Sequence, residues 1–438
     1  MGQGVGKLLM WRMISAHQVR TFFRQDSSLL KNFIALGLVQ ATNFIIPVIT
    51  FPYLVRVIGP EKFGVISYGL TILMYFITFA DYGFNLSATR LVALHHENRK
   101  ELSRLFSSVM TTKFLLLLLS VLLMASLCGF VTRFREESFT YLLGMLYVLG
   151  NVLMPVWFFQ GMEQMKYITY MNLVAKIALL ILLFAVVREP QDYVYVLALY
   201  GIANVISGIY SIRVALLRYQ LQFRFPTLQS VWEQLQDGWH IFSSSLSVVL
   251  TNNVNVLVLG FFVSNIAIGY YSIAEKIILV LWTVMGLFSQ AIYPSVCRLA
   301  QTSHQQFRRF IWKVCFPFIG AISVVSVLLY VLAEPIVQVI TGNIQAETVR
   351  ILRIVSVVPL IVCLNIPAYQ TLLAYNYKKY YAAIFNGSAV LNLIVCPLLV
   401  YFMGAVGAAV SMVVVQLVVT LALHATIEFK LKQFSLVS

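Results

Sequence analysis

Charge is what this chain has least of. Of 438 residues only 11% are Asp, Glu, Lys or Arg, while 60% are AVILMFWYC and the mean hydropathy is +0.85. Average soluble usage is about 25% charged. A water-soluble fold of this composition would carry more apolar side chain than it could bury, so secreted, cytosolic and disordered classes are excluded and lipid is the expected solvent. Cysteine is scarce as well. The five present (Cys128, Cys297, Cys315, Cys363 and Cys396) lie in or beside apolar runs with no CxxC and no regular spacing, which implies neither a disulfide framework nor a metal site. DxD, GxSxG, Walker-type glycine-rich loops and HExxH are all missing. No enzyme and no cofactor are implied. The first thirty residues lack a signal-peptide core and cleavage pattern, and MGQGVG lacks the hydroxyl residue of a myristoylation signal.

What the chain does have is long apolar runs. A helix needs roughly 20 mostly apolar residues to cross hydrocarbon. About twelve such stretches are expected, near 32–55, 63–86, 107–130, 141–160, 167–187, 193–216, 240–263, 268–292, 313–333, 351–373, 380–402 and 405–426. The longest outer connection, Glu334 to Thr348, is too short to fold as a domain, and so is every other connection. The net charge of +15 follows membrane topology rather than a nucleic-acid surface. Sorted by alternate loops, 22 basic residues, Lys113 counted among them, fall on one side. Only seven fall on the other: Arg56, Lys62, Arg133, Arg135, Arg188, Arg350 and Arg353. Both termini are therefore expected to be cytoplasmic. The basic arm 1–30 either lies on the anionic leaflet or is an extension without a role.

Weak internal matches share one offset. Thr42-Asn43 leading to Gly64 parallels Thr251-Asn252 leading to Gly269, and Pro155 to Lys166 parallels Pro367 to Lys378. The expected organisation is an N-lobe over 31–217, a cytoplasmic linker over 218–239, a C-lobe over 240–427 and a tail over 428–438. Six plus six helices repeat with the same topology about an axis along the membrane normal, leaving a V-shaped central cavity. The fold class is all-α and polytopic.

Polar side chains within spans must face protein or water. At 100° per residue, Ser67, Thr71, Thr78, Asp81 and Asn85 share one face of the second span. Ser244, Ser247, Thr251 and Asn255 do so on the seventh, Ser272, Lys276, Thr283 and Gln290 on the eighth, and Thr169, Asn172 and Lys176 on the fifth. The first span contributes Gln40 and Asn43, followed by Pro47 and Pro52, which are expected to bend or break it. The same hydroxyl stripes also serve helix packing. The charged members are harder to explain that way, because a lysine at mid-membrane costs about 2.5 to 3.5 kcal/mol. Lys276 near a span end is open to snorkelling; Lys176 lies deeper. Asp81, in the sequence DYGF, either caps a helix break at Gly83 or works in the lumen. Glu275 needs a partner other than its neighbour Lys276, and His95-His96 read as solvated. Lys176 and Lys276 deep, with Arg56 and Arg90 at the mouths, outweigh Asp81 and Glu275. The cavity is expected to be mildly cationic and to suit a polyhydroxylated anion.

At NFIIPVITFPYLVRVIGPEKFG over 43–64 and DYGFNLSATR over 81–90 the sequence closely resembles the Wzx-type polysaccharide flippases of the multidrug/oligosaccharidyl-lipid/polysaccharide exporter superfamily. The likeness continues more loosely through FFQG at 158–161 and FSQAIYP at 288–294. The resemblance implies a bacterial inner-membrane exporter of an undecaprenyl-pyrophosphate-linked oligosaccharide. It also implies partnership with the bilayer and with polymerase and chain-length machinery, and a cationic lumen here matched by Arg56 and Arg90. The substrate-binding set expected from both arguments is Asn43, Arg56, Thr78, Asn85, Arg90, Asn172, Lys176, Thr251, Asn255 and Lys276. Asp81 and Glu275 are the candidate coupling groups. The rivals are a cation-coupled drug antiporter, a major-facilitator solute transporter, whose charged loop motif the HHENRKE at 95–101 does not match, and an integral-membrane polymerase.

Overall fold

A computed structural model describes residues 27–430, with side chains from Ile46 to Phe429 except His304. The basic arm before Ser27 and the tail after Lys430 lie outside the described residues. The described chain is all-helical. Hydrocarbon offers no water to an unpaired N–H or C=O, so apolar runs close their hydrogen bonds within the helix. The helices are α1 (Ser27–Asp81), α2 (Phe84–Leu94), α3 (Arg99–Phe130), α4 (Thr132–Glu136), α5 (Ser138–Leu153), α6 (Val156–Gly161), α7 (Met165–Val186), α8 (Tyr193–Tyr219), α9 (Leu228–Phe262) and α10 (Asn265–Thr302). After these come α11 (His304–Phe310), α12 (Phe316–Val331), α13 (Ala333–Thr341), α14 (Ala346–Val355), α15 (Val358–Ala374), α16 (Lys378–Met403) and α17 (Ala405–Lys430).

Eleven stretches among the described residues are long and apolar enough to cross a bilayer. One of them, Ile46–Leu94, runs from α1 into α2, and α1 itself is two helices joined across a kink at Gly59 (φ 75, ψ 168). That backbone region is essentially restricted to glycine. Each limb of α1 is by length sufficient to cross hydrocarbon on its own. Pro60 follows as the first residue of the second limb, where its missing N–H costs nothing. The expected break at Pro47 and Pro52 does not occur, and α1 runs helically through both. Each proline removes one bond, but a broken ladder in lipid would strand several more groups without water to take them. The end of the bundle holding Ser27 and Lys430 is called the near end, and the end holding Gly59 the far end.

Three further differences from expectation follow from packing. The helix expected from 240 begins at Leu228, and the one expected to stop at 292 continues to Thr302. The long connection between the ninth and tenth spans is not a loop but the amphipathic pair α13 and α14. Lys113, counted in a near-end loop, is inside α3 and only 1% exposed.

The internal repeat has a structural counterpart. Glu163 (φ 56) and Asn376 (φ 65) occupy equivalent left-handed turns at the near end. In each, the following N–H reaches back five residues, Gln164 to the Phe159 carbonyl at 2.8 Å and Tyr377 to the Leu372 carbonyl at 2.7 Å. Both are Schellman closures of a helix C-terminus, and both precede a long helix, α7 or α16.

The N-terminal and C-terminal halves meet along the second limb of α1, which packs on α9 and α10. At the far end the backbones nearly touch. A Cβ at Gly64 would lie 1.9 Å from the Asn265 carbonyl oxygen, and one at Gly269 the same distance from that of Pro60. At the near end Tyr82 stacks on Phe242 with ring centroids 4.6 Å apart and an interplanar angle of 9°. Gly64→Leu and Gly269→Leu are each expected to destabilise the protein by about 1–3 kcal/mol through overpacking against backbone. Gly286→Ala, which meets nothing within 4 Å, should leave stability unchanged or slightly raised. Thermal unfolding of the purified chain in detergent measures the difference; equal Tm values for all three would refute the seam.

Candidate functional site

The most buried charge in the described chain is paired. Lys113 Nζ lies 2.6 Å from Asp81 Oδ1, with side-chain exposures of 1% and 26%. The second carboxylate oxygen accepts from Asn85 Nδ2 at 2.9 Å. The local fold that permits this is the break after Asp81, where Tyr82 (φ 43) and Gly83 (φ 80) turn the chain into α2. The break stands where the DYGF sequence places it, but Asp81 does not cap it. α2 starts at Gly83 with no side-chain cap, because the carboxylate is committed to Lys113 and Asn85. The C-terminal half closes over this turn through Tyr82 against Phe242 and Gly238. Ser108 Oγ also donates to the Ser230 carbonyl at 3.3 Å.

The second-span stripe divides by depth. Ser67 and Thr71 are buried, whereas Thr78, Asp81 and Asn85 toward the near end are half-buried. On α9, Ser244 and Ser247 are exposed and Thr251 half-buried. Their hydroxyls share one habit. Thr78 donates to the Met74 carbonyl at 2.8 Å, Ser244 to His240 at 2.9 Å, Ser247 to Ser243 at 2.9 Å, Thr251 to Ser247 at 2.8 Å and Thr283 to Leu279 at 3.0 Å. With its one proton spent on its own helix, each hydroxyl offers a ligand lone pairs only.

Asn255 belongs to a different environment. It is 8% exposed and both ends of its amide are used. Its Nδ2 donates to Tyr271 Oη at 2.8 Å, and its Oδ1 accepts from Asn392 Nδ2 at 3.2 Å. Asn392 Oδ1 in turn accepts from Ser411 Oγ at 2.9 Å. The chain Ser411–Asn392–Asn255–Tyr271 crosses α17, α16, α9 and α10 and ends one helical turn before Glu275. Glu275 and Lys276 are both half-buried on α10. In the other half, Lys176 is half-buried on α7, one turn beyond the exposed Asn172. The side chain of Asn43 lies outside the described residues.

The arginines divide between the two ends. Arg90 is exposed on α2 at the near end. Arg56, at the far end, donates to the carbonyls of Val339 and Ile340 at the end of α13. Arg133, which the sequence marked only as a far-side loop residue, grips the turn between α9 and α10. Nη1 donates to the Val263 carbonyl at 2.8 Å, Nη2 to Asn265 Oδ1 at 2.7 Å, and the guanidinium lies 5.0 Å from the Tyr68 ring centroid. Its buried Nε has no partner among the described residues. Both arginines of the N-terminal half thus hold the C-terminal half by neutral acceptors. The structure brings Asp81 to Asn85 and Thr78 to the same limb, and links Asn255 to the Glu275 turn. It leaves Lys176 and Lys276 in opposite halves. Lys113 is the charged residue that loop counting missed, and its position inside the apolar run 107–130 was the available signal.

Comparison with known proteins places these features in a lineage. The chain is 28% identical over 396 residues to the "Putative O-antigen transporter" of Escherichia coli (strain K12), covering 90% of this chain and 95% of that one. It is 25% identical over 394 residues to the protein of the same name from Shigella dysenteriae, covering 89% and 98%. In fold it is similar to the lipid II flippase MurJ in an inward closed conformation, with TM-score 0.68 at 14% identity and coverage of 91% and 87%. It is also similar to an inward-facing multidrug resistance MATE family transporter of the MOP superfamily, with TM-score 0.60 at 12% identity and coverage of 90% and 96%. Residues 29–300 match the polysaccharide biosynthesis protein family, and this chain belongs to it.

Proposed function

We propose that the protein is a flippase for a lipid-linked oligosaccharide. It would carry an undecaprenyl-pyrophosphate-linked repeat unit, such as that of an O-antigen, from the cytoplasmic to the periplasmic leaflet of a bacterial inner membrane, with both termini cytoplasmic. The observation that carries this reading is the pair of half-buried lysines, Lys176 and Lys276, deep in spans of opposite halves. A pyrophosphate cannot cross hydrocarbon alone, and a lysine at that depth is tolerated where it meets water or an anion. The relatives from Escherichia coli and Shigella dysenteriae carry the name of O-antigen transporters, and MurJ that of a lipid II flippase, which supports a lipid-linked cargo.

The chemistry divides between residue types. Hydroxyls at Thr78, Ser244, Ser247, Thr251 and Thr283 have spent their protons, so they accept from sugar hydroxyls and do not bind phosphate. The anion falls to Lys176 and Lys276, with Asn85 and Asn172 as amide contacts and Arg90 at the near mouth. The prenyl tail stays in lipid while the two lobes, 31–217 and 240–427, rock about the seam. Coupling to an ion gradient is assigned to Asp81 or Glu275. A drug-exporting relative handling organic cations would need a net acidic lumen. A polymerase is distinguished by its deletion phenotype, which leaves single repeats on the surface lipid where loss of a flippase leaves none.

Two tests follow. Lys176→Gln with Lys276→Gln is expected to lower glycan export by about tenfold to a hundredfold, since a charge-assisted hydrogen bond is worth about 1.5–3 kcal/mol. Lys→Arg at both positions should retain most of it. Pulse labelling of lipid-linked repeats on each face of the membrane reads the outcome, and unchanged export in the Gln pair refutes the assignment. The second test separates structure from coupling at Asp81. Asp81→Ala alone strands Lys113 and should cost about 3 kcal/mol, breaking a buried pair being worth about 3–5. Adding Lys113→Met should restore most of the stability. If the stable double variant also exports at the parental rate, Asp81 is structural and coupling rests on Glu275.

A further inference from the structure

The short helices of the far-end connection enclose a groove that the transport reading does not use. α12, α13 and α14 bound a cavity of about 580 Å³ lined by Tyr330, Glu334, Ile344, Val349, Arg350 and Arg353, among others. Arg350 and Arg353 are three residues apart on α14 and so project to the same side. Both are exposed, and neither has a carboxylate within 4 Å among the described residues. The Arg353 guanidinium lies 6.0 Å from the Tyr330 ring centroid. Two of the seven arginines and lysines on the sparsely charged face therefore converge on one groove.

The surroundings are those of a bilayer interface. Tyr330 is in the last turn of the membrane span α12, the depth at which amphipathic aromatics settle. Below it α12 presents Val324 and Val327 at 59% and 61% exposure. Ile344, exposed, lines the groove. Guanidiniums above and an apolar strip below match the two ends of a lipid whose headgroup carries a phosphate.

We propose that this groove binds the headgroup phosphate of an anionic glycerophospholipid of the far-end leaflet, with its acyl chains along α12. The Glu334 carboxylate on the rim leaves a net single positive charge. That suits a phosphodiester and works against a more highly charged prenyl pyrophosphate. The groove is lined by residues of the C-terminal half alone, although α13 also packs against α1. Occupancy would steady α13, whose last carbonyls Arg56 holds from the other half. This inference does not rest on the cargo proposed above.

The test uses the purified full chain in detergent, titrated with phosphatidylglycerol, phosphatidylcholine or undecaprenyl pyrophosphate and followed by thermal unfolding and native mass spectrometry. Phosphatidylglycerol is expected to raise Tm and to leave one retained lipid, while phosphatidylcholine does neither. Arg350→Gln with Arg353→Gln should weaken phosphatidylglycerol binding about tenfold or more, as expected for losing charge-assisted bonds. Glu334→Gln should strengthen it, a change of opposite sign that misfolding does not produce. The proposal is overturned if the double variant binds phosphatidylglycerol as tightly as the parent, if phosphatidylcholine gives an equal shift, or if undecaprenyl pyrophosphate alone gives an arginine-dependent one.

Discussion

A lysine 1% exposed inside an apolar helix requires an anion beside it, and in this fold the anion is Asp81, 2.6 Å away. Much of the near-end architecture follows from that pairing. The carboxylate sits at the last residue of α1, so the chain must turn at once, and Tyr82 and Gly83 take up left-handed angles to do so. The turn pushes the Tyr82 ring outward against Phe242 and leaves Gly238 under it, which fixes where α9 docks. α9 itself extends beyond the hydrocarbon run and begins at Leu228, where Ser230 accepts from Ser108. One ion pair thus determines a helix end, a reversal and the near-end contact between halves. Buried pairs are weak contributors to net stability, and this one acts chiefly by specifying geometry.

The passes were legible because their signal is a sum over about twenty residues, which single polar positions cannot cancel. Pro47 and Pro52, read as bending or breaking the first span, leave it unbroken. A proline rule drawn from water overestimates how readily a helix in lipid gives up its ladder. Angular stripes located polar faces without saying what each face meets. Asn255 shares its stripe with the exposed Ser244 and Ser247, yet its partner Asn392 is 137 residues away. Lys113 was lost to a different error, since sorting basic residues by loop treats every lysine near a span boundary as solvated. Arg133 gave no local sign of its role, because its acceptors lie on the turn between α9 and α10.

Schellman turns recur at Glu163 and Asn376, one in each half, but the charges do not recur with them. The N-terminal half holds the Asp81–Lys113 pair. The C-terminal half holds an uncharged amide and hydroxyl chain leading toward Glu275. The two halves thus carry unlike polar cores.

The seam itself sets which motions are cheap. Asp81 and Lys113 belong to the same half, so parting the halves moves them together and exposes no unpaired charge. The far-end grips are different, since Arg56 and Arg133 cross the seam. Their acceptors are backbone carbonyls and one amide, and on separation each guanidinium is released near an interface where water replaces what is lost. Had those acceptors been buried carboxylates, opening would strand two charges at several kcal/mol each. Neutral acceptors hold the far end shut while keeping the cost of opening to that of a few hydrogen bonds, about 1 kcal/mol apiece. The backbone contact at Gly64 and Gly269 then supplies what the arginines do not, a close approach of the two halves held by no charge.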